Sequence, residues 1–488
     1  MPDHPLIAAV DLGSNSFRLQ VIRVVNGNPR PVTTLKETVR LGAGLDGQGV
    51  LTASAQDEAL AALRRFASTL AGLPPDAVRA VATNTFRVAR NAPDFLPRAE
   101  AALGFPIEVI GGREEARLIY LGAAHSLPSS RERRLVVDIG GGSTELIVGR
   151  QFTPLCTESV PLGSVSWSLR YFDDGSLTEA CLREAELAAR AAFQPFEVAF
   201  GARHWQAAVG TSGTARALLD VLEANGYSQG GICREGLARL REALLSAGHI
   251  DNVKLAGIRE DRRPVMGGGF AIMAAAFAAF GIERMEITFG ALRDGVMYDL
   301  MARRRAVDIR DRTVASFARR HRVDGEQAER VALWAGRLFE QLAPDEPGLR
   351  RSLSDVALLH EVGLSIAQAD FHKHSAYLLR HADLPGFSQP EQERLAMLAL
   401  AQRGQLVAPG EHDAQWAALL ALRLAVLLHR ARSASPRLPR LVLSRQGMGY
   451  CLTISNRWLA AQPVIQFALN EEASAWQKAG RPLHIHPV

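Results

Sequence analysis

The chain has 488 residues, of which 47% are hydrophobic and 22% charged, and its formal net charge is +5. This length and mix predict a globular protein of about three or four domains and argue against a disordered or fibrous chain. No run of about 18 apolar residues is present, so we expect no transmembrane segment. The N-terminus lacks the pattern of a signal peptide, and the four cysteines fit neither a disulfide framework nor a metal site. We therefore expect a cytoplasmic protein, with peripheral attachment to a membrane left open.

Two similar glycine–serine turns are the clearest pattern in the sequence. An apolar run from residue 6 leads into Asp11-Leu-Gly-Ser-Asn-Ser16, and a second β-like run follows to residue 25. A run from residue 135 likewise leads into Asp138-Ile-Gly-Gly-Gly-Ser143 and continues to residue 149. Each copy predicts a β-hairpin with a turn of small residues. The repeat predicts a duplicated architecture in which both turns face one cleft.

Strand and helix patterns alternate through the first 304 residues. The predicted helices after the first hairpin are 53–70, 93–103 and 113–124, with strands at 78–83 and 107–110. After the second hairpin the predictions are a helix at 179–200, a strand at 206–209, a third small-residue turn at 210–214 before a helix, a buried helix at 270–280, a strand at 285–288 and a helix ending near 305. This alternation predicts two α/β lobes, residues 1–124 and 125–304.

The pattern changes to helix beyond residue 305. Helical periodicity over 313–322, 325–342, 349–362, 374–381, 390–402 and 414–431 predicts an all-helical domain over 305–432. A Ser/Pro/Arg linker at 433–439 and a β-hairpin at 440–455 then predict a small basic α+β domain over 433–488. Residues 414–470 contain seven arginines and no Asp or Glu. This imbalance predicts either a surface that attracts polyanions or a merely solvated one.

The composition of the three turns suits phosphate. Glycine lets backbone N–H groups converge on an anion, and small hydroxyls add further donors. The turn at 210–214 precedes a helix, whose N-terminus also favours anions. Together the turns predict a cleft that binds a phosphorylated ligand.

Carboxylates at the start of two of these turns need an explanation, because bare carboxylates repel phosphate. A divalent cation that bridges carboxylate and phosphate removes the conflict, and Mg²⁺ prefers such oxygen ligands. The predicted metal ligands are Asp11, Asp138 and Glu145, the last of which could instead orient water. The alternative is an Asx-turn in which each aspartate caps its own hairpin.

Two further charged positions are ambiguous from the residues alone. Glu114 and Glu115 open a predicted helix, where acids stabilise the helix dipole without any other function. Arg87 follows a predicted strand and is a candidate to clamp a phosphate.

The motifs resemble known families. The hairpins and the third turn resemble the acetate kinase–Hsp70–actin superfamily. Three segments, in this order, resemble the exopolyphosphatase/guanosine pentaphosphate phosphatase family in its long form: Ala9-Val-Asp-Leu-Gly-Ser-Asn-Ser16, Glu114-Glu-Ala-Arg-Leu-Ile-Tyr120 and Val137-Asp-Ile-Gly-Gly-Gly-Ser-Thr-Glu145. The implied fold is α/β, with duplicated actin-like (RNase H-like) lobes around a cleft, followed by an HD-like helical domain and a small α+β domain.

The resemblance also implies a reaction. It implies an exopolyphosphatase, a hydrolase that releases the terminal phosphate of inorganic polyphosphate with water as the nucleophile and Mg²⁺ or another divalent cation. It gives Glu115 the role of general base and places Glu145, Asp138 and Arg87 with it in the catalytic group. The phosphate-binding residues that it implies are Ser14, Asn15, Ser16, Gly141, Gly142, Ser143, Ser212 and Gly213.

Other functions stay open at this point. A guanosine pentaphosphate 5′-phosphatase shares every motif, a small-molecule kinase belongs to the same superfamily, and a polyphosphate- or nucleotide-sensing module would bind without turnover. No specific nucleic-acid module accompanies the basic charge. The resemblance further implies a homodimer.

The helical domain departs from a working HD site, which requires His, then His-Asp, then a distal Asp around a metal. Gln327 stands where the first histidine is expected, and His360-Glu361 replaces His-Asp. His372, His374 and His381 lie nearby in the sequence. We predict no separate catalysis by this domain and expect its histidines to be structural or anion-contacting.

Overall fold

The computed structural model describes residues 6–25, 28–128, 130–304, 308–410, 412–432 and 438–488. The chain forms two compact units, residues 1–307 and 308–488. Residues 1–5 at the N-terminus lie outside the described residues. So do residues 433–437, which make up most of the predicted linker.

A five-stranded sheet, counted over the described residues, organises the first lobe. Its elements are β1 (Leu6–Leu12), β2 (Phe17–Val25), β3 (Asn28–Glu37), α1 (Ala53–Leu70), β4 (Val78–Ala82), α2 (Asn84–Val88), α3 (Ala92–Leu103), β5 (Ile107–Val109) and α4 (Gly112–Ser126). The strand order is β3-β2-β1-β4-β5. The first three strands form an antiparallel meander, whereas β4 and β5 run parallel to β1.

The second lobe repeats this topology. Its elements are β6 (Arg133–Ile139), β7 (Thr144–Arg150), β8 (Thr153–Val160), α5 (Ser164–Tyr171), α6 (Glu179–Phe193), α7 (Glu197–Phe200), β9 (Ala207–Thr211), α8 (Ser212–Ala224), β10 (Ile232–Cys233), α9 (Arg234–Ala247), α10 (Met266–Phe280), β11 (Arg284–Ile287) and α11 (Leu292–Arg304). The strand order is β10-β11-β9-β6-β7-β8. Read from β8 to β11, the order and directions match those of the first sheet, with β6, β9 and β11 parallel. The predicted duplication is confirmed.

Two predicted helices differ in detail from the structure. The helix predicted over 179–200 is broken, because Pro195 lies in a 3₁₀ turn between α6 and α7 and has no N–H to donate. The buried helix predicted over 270–280 begins earlier, at Met266, and is almost wholly buried in the second lobe. By length and composition alone, 263–280 is apolar enough to cross a membrane, but 67% of that window is buried inside the protein.

Helices α4 and α11 fill the layer between the two sheets. The core there combines Ile7 and Ile22 of the first sheet with Val136, Ile147 and Val209 of the second. The two helices approach very closely: a Cβ on either Gly122 or Gly295 would overlap a backbone carbonyl of the facing helix. Glycine is therefore required at both positions, and α11 holds α4 firmly in place.

A buried ion-pair network joins the same two helices to the first sheet. Its members are Arg79, Glu108, Glu114, Arg117, Asp299 and Arg303. Asp299 accepts from Arg79 Nη1 over 2.7 Å and from Arg117 Nη2 over 2.6 Å. Burial raises the pKa of Asp299, but Arg117, Arg79 and Arg303 outweigh it and hold that pKa far below its ordinary value. Asp299 is therefore an ionised centre of the network.

The second unit combines helices with a small sheet. Its elements are α12 (Ile309–Arg320), α13 (Gly325–Glu340), α14 (Pro347–Leu359), α15 (Phe371–His381), α16 (Gln389–Ala401), α17 (Asp413–His429), β12 (Val442–Gln446), β13 (Gly449–Ile454), α18 (Asn456–Ala460), α19 (Pro463–Lys478) and β14 (Leu483–Pro487). The predicted hairpin is confirmed as β12 and β13, and β14 adds a parallel strand. One hydrophobic core extends from the helices to this sheet.

Acids from outside the basic stretch neutralise part of its charge. Arg423 is buried and pairs with Glu472 over 2.5 Å, and Arg445 pairs with Asp413. Arg432 pairs with Glu361 over 2.6 Å. Of the two alternatives for the basic stretch, a surface that attracts polyanions therefore finds no support at these three arginines, while Arg437 lies outside the described residues.

The HD-like positions hold the fold together by hydrogen bonds. Gln327 Nε2 donates to the His429 carbonyl over 2.8 Å, and His360 Nδ1 lies 2.7 Å from the Ala357 carbonyl oxygen. Over the described ranges, no three His, Cys, Asp or Glu side chains are grouped so that they could hold a metal ion. These contacts agree with a structural role for Gln327 and His360.

Replacing Asp299 with alanine tests the buried network. We expect the free energy of unfolding to fall by about 3–5 kcal/mol, because removing one partner leaves buried guanidinium groups without full compensation. Chemical denaturation measures the loss. Glu37→Ala is the matched control: it breaks an exposed two-bond pair with Arg65 and should cost no more than about 1 kcal/mol. Equal losses would contradict a stabilising role for the network.

Candidate active site

The two predicted turns meet face to face. The first connects β1 to β2 and the second connects β6 to β7. A Cβ on Gly141 would lie 3.3 Å from Ser14 Cβ and 3.5 Å from the Asn15 backbone nitrogen. The first turn is held from behind by Gly42 N, which donates to the Ser14 carbonyl over 2.7 Å. The prediction that both turns face one cleft is confirmed.

The third turn joins them through Ser212, the first residue of α8. Ser212 Oγ donates to Asp138 Oδ2 over 2.6 Å, so the third turn is tied to the second hairpin. Ser212 has a φ of +66°, a left-handed conformation that costs a non-glycine residue about 1–2 kcal/mol. Strain of this kind persists where surrounding structure enforces it, as at functional sites.

These turns line a cleft with a cavity volume of about 110 Å³. The predicted residues that line it are Asp11, Ser14, Asn15, Ser16, Gly141, Ser212 and Gly213. Gly142 lies just beside it, where a Cβ would overlap Asn84 Nδ2. Ser143 is buried below and hydrogen-bonds to Glu145.

Three arginines on the cleft wall escaped the sequence analysis. Arg18, Arg262 and Arg293 all line the cavity. Arg18 comes two residues after the first turn, and Arg293 comes three residues after Gly290. The nearness of both arginines to glycine-containing segments could have marked them in the sequence as candidate ligand contacts. Arg262 lies in an irregular loop and carried no such signal. Together they supply positive charge beside the turns, which suits an anionic ligand.

Four carboxylates lie close enough to raise one another's pKa. Burial, with Glu115 and Asp138 nearby, raises the pKa of Asp11 to about 7 against the opposing effects of Arg18 and Arg293. Burial and Glu115 raise the pKa of Asp138 to about 6, although the Ser212 hydroxyl lowers it. Burial, Glu115 and Asp138 also raise the pKa of Glu145 well above its ordinary value. The predicted metal and catalytic carboxylates therefore form one group.

Arg87 contacts the predicted general base directly. Arg87 Nη1 donates to Glu115 Oε2 over 2.7 Å and also to the Ile110 carbonyl over 2.9 Å. Burial raises the pKa of Glu115, and the Arg87 charge and hydrogen bond oppose that rise. Arg87 therefore orients Glu115 and helps to keep it ionised.

Strand β8 brings Glu115 and Glu145 to the same place. Ser159 Oγ donates to Glu145 Oε1 over 2.9 Å. The start of α4 packs on the same serine, since a Cβ on Gly112 would lie 2.5 Å from Ser159 Cβ. Ser159 thus fixes Glu145 and the helix turn that carries Glu115.

The carboxylate group fits a divalent cation. Asp11 Oδ1 is buried and has no hydrogen-bond partner in the part of the chain that the structure describes. A cation would satisfy this oxygen and relieve the repulsion within the group. Because no preformed cluster of three protein ligands exists among the described residues, the fit is to Mg²⁺, which uses one or two carboxylates with phosphate and water.

Ser212→Gly and Ser212→Ala together test the backbone strain. Both remove the hydroxyl that binds Asp138, but only glycine adopts a φ of +66° freely. We expect the glycine variant to be the more stable by about 1 kcal/mol in chemical denaturation. Equal stabilities would show that the left-handed conformation stores no strain.

The carboxylate group predicts a loss of stability as the pH rises in the presence of a chelator. In the folded state the pKa values of Asp11 and Asp138, about 7 and about 6, exceed the ordinary 3.8, so folding favours their protonated forms. That contribution is complete below about pH 4 and is lost as the pH rises through 6 to 7. We expect Tm to fall between about pH 5 and 8, and to fall less for Asp11→Asn.

Mg²⁺ provides the second half of this experiment. At the higher pH it should raise Tm of the wild type more than that of Asp11→Asn, because the variant has lost a charged oxygen. Asp57→Asn, an exposed change on α1, is the control and should behave as the wild type. An Asp11→Asn variant with the full pH-dependent loss would rule out Asp11 as its source.

Comparisons with known proteins agree with this geometry. Residues 20–304 match the Ppx/GppA phosphatase family, and residues 309–473 match domain III of Ppx/GppA phosphatases. The chain is 37% identical over 490 residues to the guanosine-5′-triphosphate,3′-diphosphate pyrophosphatase of Vibrio cholerae serotype O1, a match that covers 99% of this chain and 98% of that protein.

Solved structures with the same fold extend the comparison. An exopolyphosphatase from Cytophaga hutchinsonii matches with a TM-score of 0.55 and 24% identity, covering 61% of this chain and 98% of its own. A PPX-GPPA enzyme from Aquifex aeolicus matches with a TM-score of 0.51 and 25% identity, covering 60% and 99%. The predicted duplicated actin-like fold is confirmed. From the two domain matches and the full-length relative, the chain belongs to the Ppx/GppA phosphatase family, as its motifs predicted.

Proposed function

We propose that this protein is an exopolyphosphatase, which hydrolyses the terminal phosphoanhydride bond of inorganic polyphosphate and releases orthophosphate. The family supports a hydrolase of phosphoanhydride bonds. The observation that carries the proposal is the cleft, which is lined by two glycine–serine turns, three arginines and Asp11. Asp11 in turn lies close enough to Glu115 and Asp138 for their charges to raise its pKa. Phosphoryl transfer depends mainly on positioning and charge neutralisation, and this set provides both.

The turns and the arginines would bind different phosphates at the end of the chain. Backbone N–H groups at Ser14, Gly141 and Ser212, with the Ser14 hydroxyl, would hold the terminal phosphate. Arg18, Arg262 and Arg293 are placed to hold the phosphates that follow. A chain of repeating anionic units needs little more than such donors, since every unit presents the same oxygens.

Glu115 would then act as the general base. It takes a proton from water as the water oxygen forms its bond to the terminal phosphorus, and the bond from that phosphorus to the bridging oxygen breaks. The bridging oxygen leaves with the shortened chain, and orthophosphate is the other product. A raised pKa makes Glu115 a stronger base, and Arg87 keeps it oriented and ionised.

A divalent cation completes the proposal. We propose that Mg²⁺ is held by one or two of the carboxylates Asp11, Asp138 and Glu145 together with phosphate oxygens and water, and that when bound it would neutralise negative charge on those oxygens. The unpartnered Asp11 oxygen and the mutual repulsion of the carboxylates support this assignment. A homodimer and a cytoplasmic location remain predictions.

Guanosine pentaphosphate is the second candidate substrate. The relative from Vibrio cholerae that matches nearly the whole chain is named for that nucleotide. Removal of the 5′-terminal phosphate would break the same kind of bond and would use the same turns and base. One cleft could therefore serve both substrates.

Glu115→Gln tests the base. We expect phosphate release from long-chain polyphosphate with Mg²⁺ to fall about 10²–10⁴-fold, because proton transfer from water is lost. Glu58→Gln, an exposed change on α1, is the control and should retain wild-type activity. Equal rates for Glu115→Gln and the wild type would overturn the assignment. A wild type that binds polyphosphate but releases no phosphate with any cation would instead favour a sensing module.

A further inference from the structure

An exposed aromatic ring lies at the charged cleft. Phe289, in the segment between β11 and α11, lines the cavity together with Arg18, Arg262 and Arg293. It is 73% exposed, the second most exposed of the large hydrophobic side chains in the described residues. Because water solvates an aromatic ring poorly, an exposed ring beside charged groups is a candidate contact for an apolar part of a ligand.

The segment that carries Phe289 is held on both sides. Thr288 N donates to the Gly210 carbonyl over 3.0 Å, and Thr211 Oγ1 donates to the Gly290 carbonyl over 2.6 Å. Arg216 Nη2 donates to the Phe289 carbonyl over 2.8 Å. The ring is therefore presented by a β11–α11 segment whose backbone is hydrogen-bonded to the β9–α8 turn that carries Ser212.

Arg216 also covers part of the ring. Its guanidinium lies over the Phe289 ring, 4.8 Å from the centroid. Because Arg216 covers only one face of the ring, the rest of the ring surface is available to a ligand. Both the ring and the planar guanidinium can stack with an aromatic group. Inorganic polyphosphate has no aromatic group and cannot use this surface. A nucleobase can, and stacking of a base on an aromatic side chain contributes about 1–3 kcal/mol.

We infer that Phe289 is a stacking platform for the base of a nucleoside polyphosphate, and so a specificity-determining residue. The phosphates would occupy the turns and the arginine wall while the base rests on the ring. This inference rests on the proposed hydrolysis of a phosphoanhydride end in the same cleft. Contact of the base with Phe289 would then distinguish a nucleotide from a bare phosphate chain.

The test compares two substrates with equally short phosphate ends. Guanosine pentaphosphate carries a base, whereas inorganic tripolyphosphate does not. For Phe289→Ala we expect KM for guanosine pentaphosphate to rise about 5- to 150-fold, the equivalent of the stacking energy, with kcat little changed. KM for tripolyphosphate should change by less than about twofold, and Phe289→Trp should keep the wild-type preference for the nucleotide.

The control is Phe467→Ala, which removes an equally exposed phenylalanine (68%) from the second unit and should alter neither KM. Equal losses on both substrates, or no change with the nucleotide, would overturn the inference while leaving the proposed hydrolysis intact. If the wild type releases phosphate from neither substrate, the proposed function fails. In that case, calorimetric affinities of the wild type and Phe289→Ala for the same two compounds test the role of Phe289 without turnover. Equal losses of affinity for both compounds, or no loss for either, would overturn that role.

Discussion

Mutual repulsion among four buried carboxylates is the constraint on which the site depends. Asp11, Asp138, Glu115 and Glu145 lie together at the ends of the two sheets, and burial prevents water from screening their charges. Such a group is stable only if protons, cations or arginines compensate it. Arg87 compensates Glu115 directly, and Arg18, the cross-strand neighbour of Asp11, lowers the pKa of Asp11 together with Arg293. A divalent cation would complete the balance.

The architecture holds these like charges in place. Helix α4 carries Glu115, and its position is set by α11, which packs on it at Gly122 and Gly295 without intervening side chains. Behind Glu115 the same helix places Glu114 and Arg117 in the buried ion-pair network centred on Asp299. One helical turn therefore contributes Glu115 to the carboxylate group and an anchor to the core. Because both lobes contribute to this layer, neither lobe could build the site alone.

In the second unit, buried charged and polar side chains stabilise the interior. Its arginine-rich segment includes Arg423, which is buried and fully occupied by Glu472 and two carbonyls. The HD-like positions likewise serve the interior, through the bond from Gln327 to the His429 carbonyl. The charge of Arg423 is therefore used to stabilise the interior of the second unit, whereas the arginines of the cleft wall line a cavity.

The sequence by itself determined the repeated turns, the duplicated α/β architecture and the family. Those features depend on local backbone preferences and on side-chain periods of two and 3.6 residues, which neighbouring residues already express. Only the tertiary structure decided that Arg87 pairs with Glu115, that Arg262 faces the turns and that Arg423 is neutralised by Glu472. These are pairings in space between residues far apart in sequence. Their energies depend on distance and burial, which a count of charges along the chain does not contain.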